Sequence, residues 1–331
     1  LEIGKLSNEQ LDRIIFSKIK YKDERVLVGS GIGEDCSILD FKDELCVISS
    51  DPITATTSNM GKLAVYISCN DIASKGIKPF GIMVTLLAPP TATLEDIQKI
   101  MEDILQVSNE LQIELLGGHT EITDAVNRIV LSVTSLGGGS RDYLIPGEKV
   151  QCGDLLVMTK YAGLEGTTIL YDDFKNQIEG LTEKDLEELQ YLSSSLSVIQ
   201  EGLIGAQIGV KSMHDATEGG ILGAAWEMAE KSKLGVQIVA QNIPILETTK
   251  KITSQFHINP FKLISSGVML MIVSKEKEEA LLKSLQENNI NGAVIGEFIK
   301  GESKIITEDG QLLPLDAPET DELYKAYKGR W

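Results

Sequence analysis

Strand-like apolar runs in this chain repeatedly give way, within a residue or two, to carboxylates and glycines. That recurrence restricts the fold more than any other feature of the sequence. Leu45-Cys46-Val47-Ile48-Ser49-Ser50-Asp51-Pro52-Ile53 reads as a strand ending in hydroxyls and an aspartate, with Pro52 stopping regular pairing. Ile113-Glu114-Leu115-Leu116 runs directly into Gly117-Gly118-His119-Thr120-Glu121. Lys211 to Ile221 places Asp215, Thr217, Glu218 and Gly219-Gly220 just before an amphipathic helix. Carboxylates at strand ends lie where loops converge on a site, whereas mid-strand residues mostly pack. Glycines permit tight turns and close approach of a backbone to a ligand, and a helix start presents free N–H groups suited to an anion.

The elements between these stretches alternate. Helical spacing is expected over residues 7–19, with Ser7 as cap, over Met60 to Lys75, and over Leu94 to Leu111 with Thr93 or Thr91 as cap. Phe80 to Ala88 and Val126 to Leu136 read as apolar strands, and Gly137 to Arg141 as a flexible exit. In the second half, residues 172–190 read as a polar, solvent-facing excursion and Ser193 to Ala206 as one helix. Helices over Ile221 to Ser232 and Lys275 to Asn288 follow, with apolar strands at Val268 to Val273 and Ala293 to Phe298. The pattern predicts α/β or α+β domains without choosing a topology.

With 331 residues, two domains of roughly 150 residues each are expected, divided near Gly147 to Gly153 into 1–150 and 151–331. An apolar content of 42% supports a folded protein. No apolar run reaches the ~18 residues that cross a membrane, and Leu1-Glu2-Ile3-Gly4-Lys5 does not read as a signal peptide, so a cytoplasmic location is the expectation. Cys36, Cys46, Cys69 and Cys152 form no CxxC pair and read as reduced thiols. The net charge of −18 argues against a nucleic-acid partner. It does not exclude an anionic small substrate, because a cation held by several aspartates reverses the local field.

Asp71 lies in a helix that otherwise looks close-packed, where a carboxylate is costly unless paired, exposed or metal-bound. The glycine-containing stretch Val28 to Leu39 has neither the Walker lysine-and-hydroxyl ending nor a dinucleotide GxGxxG; its distinctive content is Glu34-Asp35 entering a short strand. His119, Thr120 and Glu121 offer three metal or phosphate contacts beside Gly117-Gly118.

Taken in order, Gly33-Glu34-Asp35, Ser50-Asp51, Asn70-Asp71-Ile72-Ala73, Gly117 to Glu121, Asp215 to Gly220 and Ile295-Gly296-Glu297 resemble the aminoimidazole-ribotide-synthetase-related (PurM-like) ATP-binding superfamily. The resemblance covers nearly the whole chain and is nearest to its hydrogenase-maturation (HypE) branch. It implies a two-domain subunit whose first strand layer closes into a barrel with the partner in a homodimer. It implies ATP and Mg²⁺, the cation being held by Asp35, Asp51, Asp71 and Asp215, joined by Glu34, His119 or Glu121. Gly31, Gly33, Asn70, Gly117, Gly118, Thr217, Gly219 and Gly220 are then expected against the nucleotide, and Asp51, His119 and Glu121 in catalysis. The acceptor would be a small or carrier-bound substrate, with a maturation protein as a further partner.

The HypE branch uses ATP to dehydrate a carbamoyl group on its own C-terminal cysteine. This sequence departs from that pattern: it ends Tyr327-Lys328-Gly329-Arg330-Trp331, its last cysteine is Cys152, and His119 and Glu121 stand where that branch commonly has aspartate and lysine. Self-carrier chemistry would then need a carrier supplied by another protein, or a chain that continues past Trp331. A thiamine-monophosphate-kinase-like enzyme, a purine-synthesis-like enzyme and a non-catalytic nucleotide-binding accessory protein are the alternatives.

Overall fold

The computed structural model describes residues 8–14, 16–18, 24–29, 31–34, 36–42, 44–53, 59–140, 149–307, 309–318 and 320–327. A short helix α1 (Asn8–Ile14) precedes a six-stranded sheet. Its strands are β1 (Val26–Val28), β2 (Ser37–Asp40), β3 (Leu45–Ile53), β4 (Pro79–Ala88), β5 (Glu114–Ile122) and β6 (Val130–Gly139). They lie in the order β1-β2-β3-β6-β4-β5, antiparallel except for the β4–β5 pair. Helices α2 (Met60–Ala73) and α3 (Leu94–Leu111) pack on one face through Ala64, Cys69, Ile100, Ile104 and Val107 against Ile82, Val84, Leu131 and Val133. Thr93 caps α3 in a reciprocal capping box with Asp96.

The second sheet comprises β7 (Leu155–Thr159), β8 (Ser212–Ala216), β9 (Gly235–Val239), β10 (Val268–Val273), β11 (Gly292–Ile299), β12 (Lys304–Ile306) and β13 (Leu312–Pro314). The order is β13-β12-β9-β11-β7-β10-β8. Helices α4 (Leu164–Phe174), α5 (Glu183–Ser194), α6 (Ile199–Ile208), α7 (Gly220–Ser232), α8 (Glu247–Gln255) and α9 (Glu278–Glu287) surround it. Val268 to Val273 is buried at every position because alternate side chains enter different cores. Met269, Met271 and Val273 meet α6 and α9, while Val268, Leu270 and Ile272 meet α7. A strand buried on both faces reads as one continuous apolar run, as it does here. Among the described residues no helix is long and apolar enough to cross a membrane.

Several local expectations change. The helix expected over 7–19 ends at Ile14, with a 3-10 turn at Phe16–Lys18; Ser7 and Ile19 lie outside the described residues, as does Arg141. The polar excursion holds α5, capped by Thr182 and Asp185, and Asp185 also pairs with Lys251 on α8. The single helix expected over 193–206 is interrupted at 195–198, after which α6 begins. Pro52 does not end β3: it stays in register with Ser132 of β6, at a point where β2 no longer pairs on the other side and no N–H is required.

Helix α2 is the wedge between the two sheets. Eleven of its fourteen residues are buried, and its core continues into Leu155, Val157, Met213 and Met271 of the second sheet. Asn70, fully enclosed, spends both ends of its amide across this seam. Its Nδ2 donates to the Leu196 carbonyl (2.8 Å), and its Oδ1 accepts from the Val198 N–H (2.9 Å). A buried donor or acceptor left without its partner costs roughly 1–3 kcal/mol. Asn70→Ala should therefore lower the unfolding free energy by about 2–4 kcal/mol, measured from urea unfolding midpoints. A change below ~0.5 kcal/mol would show that the clamp contributes little.

Candidate functional site

Ser49 and Asp51 sit two residues apart on β3 and face α2. The Ser49 hydroxyl donates to Asp71 Oδ2 and lies 3.3 Å from Asp51 Oδ2. One hydroxyl thus joins two carboxylates, one buried on α2 and one partly open to solvent. Cys36 Sγ reaches the Asp71 carbonyl (2.9 Å), which fixes the start of the β2 segment to the same helix. Asp35 lies outside the described residues.

Asp215 is almost fully enclosed on β8, a strand that packs against α2. It shares a face of β8 with Met213, two residues before it, whose side chain belongs to the core shared with Cys69 and Ala73 of α2, so the two carboxylate-bearing elements meet at one seam. Burial, with the Asp71 charge added, pushes the Cys69 thiol far up. Among the described residues no three histidine, cysteine or acidic side chains are grouped to hold a metal.

His119 and Glu121 stand apart from this group. Gly117 to Glu121 is not a turn but part of the parallel edge strand β5. His119 lies in register with Thr85 and Glu121 with Leu87, on the face opposite α2, and His119 Nε2 is 3.3 Å from Glu121 Oε2. Gly118 is explained by packing: a Cβ there would sit 1.8 Å from the Val84 carbonyl oxygen. Around these residues the sheet is apolar and open, with Phe80, Met83 and Leu116 roughly half-exposed.

The turn at Gly31 to Glu34 docks on α7 of the second domain. Lys231 Nζ contacts Glu34 Oε1 (2.8 Å) and the Gly33 carbonyl (3.2 Å). Further along the second domain, the loops at 160–167, 217–220 and 259–267 converge, which their sequences could not disclose. Gly163 N donates to Ser265 Oγ, Gly166 N to the Ile264 carbonyl, and Ser265 N to the Thr217 carbonyl. Gly220 permits this, since a Cβ there would meet the Phe261 and Leu263 carbonyls within 2.7 Å. Gly219 N donates to Asp321 Oδ2 (2.7 Å), a residue to which no motif drew attention. Concave surfaces of about 420 and 580 Å³, around Leu282 to Gly292 and around Gly76 to Gln207, touch none of these residues; the convergence of the chemistry, not concavity, defines the candidate site.

Beneath those loops Glu165 is enclosed at the start of α4, and burial pushes its carboxyl up to about 7, with Asp321 and Glu218 adding to the rise and Ser266 opposing it. Ser266 opposes the rise through its hydroxyl and its main-chain N–H, both hydrogen-bonded to the Glu165 carboxyl.

The chain belongs to the AIR synthase related family. The family's N-terminal domain matches residues 33–138 and its C-terminal domain residues 151–308. Among curated proteins it is similar to a putative hydrogenase expression/formation protein of Methanocaldococcus jannaschii, 29% identical over 316 residues that cover 92% of this chain and 91% of the relative. Among solved structures it shares its fold with the HypE-HypF complex (TM-score 0.76, 19% identity, 93% of this chain and 99% of that one). It likewise resembles the hydrogenase maturation protein HypE in complex with ATP (TM-score 0.73, 18% identity, 98% of each chain). The architecture is the two-domain PurM-like α/β fold.

Two expectations follow from these environments. In the native protein the exposed Cys152 should react with a thiol reagent near neutral pH while Cys69 stays protected until unfolding, as thiol titration with and without denaturant would report. For Glu165 the folded value of about 7 exceeds the ordinary 4.5, so the native state holds a proton that the unfolded state releases; stability falls as pH rises through that window and is level above it. Glu165→Gln removes that contribution. The melting temperature of the variant relative to wild type should therefore rise from about pH 5 to about pH 8.

Proposed function

We propose that this protein is an Mg²⁺-dependent, ATP-using enzyme that phosphorylates or activates an oxygen of a small or carrier-bound substrate. The observation that carries the reading is the Asp51–Ser49–Asp71 group at the domain seam, with the Asp215 strand packed against the same helix. Support comes from family membership and from the fold shared with a HypE that binds ATP.

The donor set fits the cation. Mg²⁺ takes hard oxygen ligands and is commonly held by one or two protein carboxylates plus substrate phosphates and water, so Asp51 and Asp71 need no third described side chain beside them. Asp51 and Asp71 would hold it, with Asp35 and Asp215 completing or orienting the set. Bound there, Mg²⁺ would offset phosphate charge and orient the terminal phosphoryl group. The chain's own residues do the rest. Ser49 keeps the two carboxylates in register, Asn70 fixes α2 against the second domain, and Lys231 holds the Gly31–Glu34 turn over α7. Thr217, Gly219 and Gly220 shape the second-domain loops, which would present the acceptor.

The open sheet face around Phe80, Met83 and Leu116 supports a homodimer in which a second copy covers it and closes a barrel. Exposed apolar area of this kind favours association. His119 and Glu121 would act from that interface, on the side away from Asp51, while Gly118 lets the strand lie close against β4. A maturation protein is the proposed further partner, the HypE-HypF complex being the precedent in the fold.

Calorimetric titration with ATP and Mg²⁺ tests the reading. Asp51→Asn and Asp215→Asn should each weaken Mg²⁺-dependent nucleotide binding by about tenfold or more while leaving ligand-free thermal unfolding nearly unchanged. Equal loss of folding in both variants would assign the aspartates a structural role. Steady ATP turnover tied to a product rejects the accessory-protein alternative, and binding without turnover selects it.

A further inference from the structure

In the connection between α5 and α6 both domains grip the same stretch of main chain. Leu196 enters the second-domain core that holds Leu164, and Val198 enters the core that holds Cys69 and Ala73 of α2. Ser197 stands between them. Beyond it α6 begins against the end of α2, so close that a Cβ on Gly202 would lie 2.2 Å from the Ala73 carbonyl oxygen. From α2, Asn70 takes both the Leu196 carbonyl and the Val198 N–H.

Lys160 reaches the same connection from the second domain. It follows directly on β7 in a left-handed conformation (φ 53°), and its N–H donates to the Asn291 carbonyl (2.8 Å). Its enclosed ammonium meets three oxygens: the Ser197 carbonyl (2.6 Å), the Gly267 carbonyl (2.9 Å) and Glu201 Oε1 on α6 (2.6 Å). A buried ammonium is costly unless a counter-charge and acceptors surround it, and the equally enclosed Glu201 supplies that charge. Gly267 itself presses on the connection. Its φ of +100° favours glycine, and a Cβ there would stand 2.8 Å from the Ser195 carbonyl oxygen and 3.0 Å from Leu196 Cα. Just before it in the chain, Ser265 bonds to Gly163 N and the Thr217 carbonyl, and Ser266 bonds to Glu165.

The Ser197 C=O and the Val198 N–H are the two ends of one peptide group, which is planar and rigid. Lys160 holds its oxygen while Asn70 holds its N–H. A tilt of that plane cannot preserve one bond without straining the other. Asn70 is the neighbour of Asp71 on α2, and Gly267 closes the loop 259–267. We propose that Lys160 is a positioning residue that ties the acidic seam of α2 to the 259–267 loop through the 197–198 peptide, so that Mg²⁺-nucleotide bound at the seam orders that loop. The inference rests on the nucleotide reading above and extends it to the acceptor side of the molecule. Coupling of this kind is a free energy shared between two sites, so ordering either one favours the other. Its physical carrier is a continuous set of bonded groups from Asn70 to Gly267.

The test replaces the buried pair together, Lys160→Met with Glu201→Gln, which cuts the link without leaving a lone charge inside. Amide hydrogen exchange of the full chain is measured with and without ATP and Mg²⁺. In wild type the nucleotide should slow exchange across 259–267. In the variant that protection should be lost while nucleotide affinity, by calorimetry, stays within about threefold of wild type. A purely structural pair would not separate affinity from remote protection. Protection that survives in the variant, protection missing from nucleotide-bound wild type, or affinity lost along with protection overturns the proposal. A second arm needs no ligand: urea unfolding compares Asn70→Ala, the Lys160/Glu201 variant and their combination. Two holds on one rigid peptide should give a combined midpoint shift smaller than the sum of the separate shifts, and simple additivity overturns the linkage. Wild type that binds no nucleotide sinks the functional reading, and the unfolding arm then decides the linkage by itself. Should the variant not fold, exchange of wild type across a urea series takes its place. The Val198 N–H, held by Asn70, and the Val268 N–H, held by the Ser265 carbonyl, should open together as one unit, and separate openings overturn the proposal.

Discussion

The arrangement depends on α2 having almost no solvent-facing side. A helix buried on nearly every face must satisfy every polar group it carries, and Asn70 and Asp71 are the two that would otherwise be most costly. Asn70 is satisfied by main-chain atoms of the second domain, and Asp71 by a hydroxyl of the first. Adjacent residues on one helix therefore bind the two halves of the molecule and carry its most distinctive charge. The orientation of the second domain and the position of the acidic group follow from the same turn of helix. A change at either residue is felt at the other.

How far the sequence was legible depended on whether the governing partners were near or far along the chain. Val268 to Val273 and the Thr93-capped α3 were readable because local pattern and burial agree. α5 was missed although Thr182 and Asp185 carry the spacing of a capping box; its polar composition outweighed that signal. The apolar run Phe80 to Ala88 forms the strand expected of it, yet Met83 and Thr85 face outward, because composition does not say which face has a partner. For the site, Asp51, Asp71 and Asp215 were singled out from position alone. Ser49, which links two of them, was visible only as a neighbour of Asp51. Asp321 had no local signal, since its partners Gly219 and Ile264 lie 102 and 57 residues away.

The first sheet also separates residues that the motif order had grouped. Asp51 faces α2, while His119 and Glu121 stand on the opposite surface beside exposed apolar side chains. A sheet is one residue thick, so these groups cannot act on one small molecule within a single subunit. Only a neighbour closing over the open face gives His119 and Glu121 an enclosed environment. The apolar character of that face and the isolation of the pair are two aspects of one geometric fact.

The Lys231 contact has a mechanical meaning. A turn that belongs to the first domain, Gly31 to Glu34, is fastened to a helix of the second by one ammonium group reaching a carbonyl and a carboxylate. Asn70 holds the domains at the middle of the seam, so this outer fastening acts at a distance from it, like a guy line on a mast. Any rocking of the domains must stretch the line, break it, or draw the turn along.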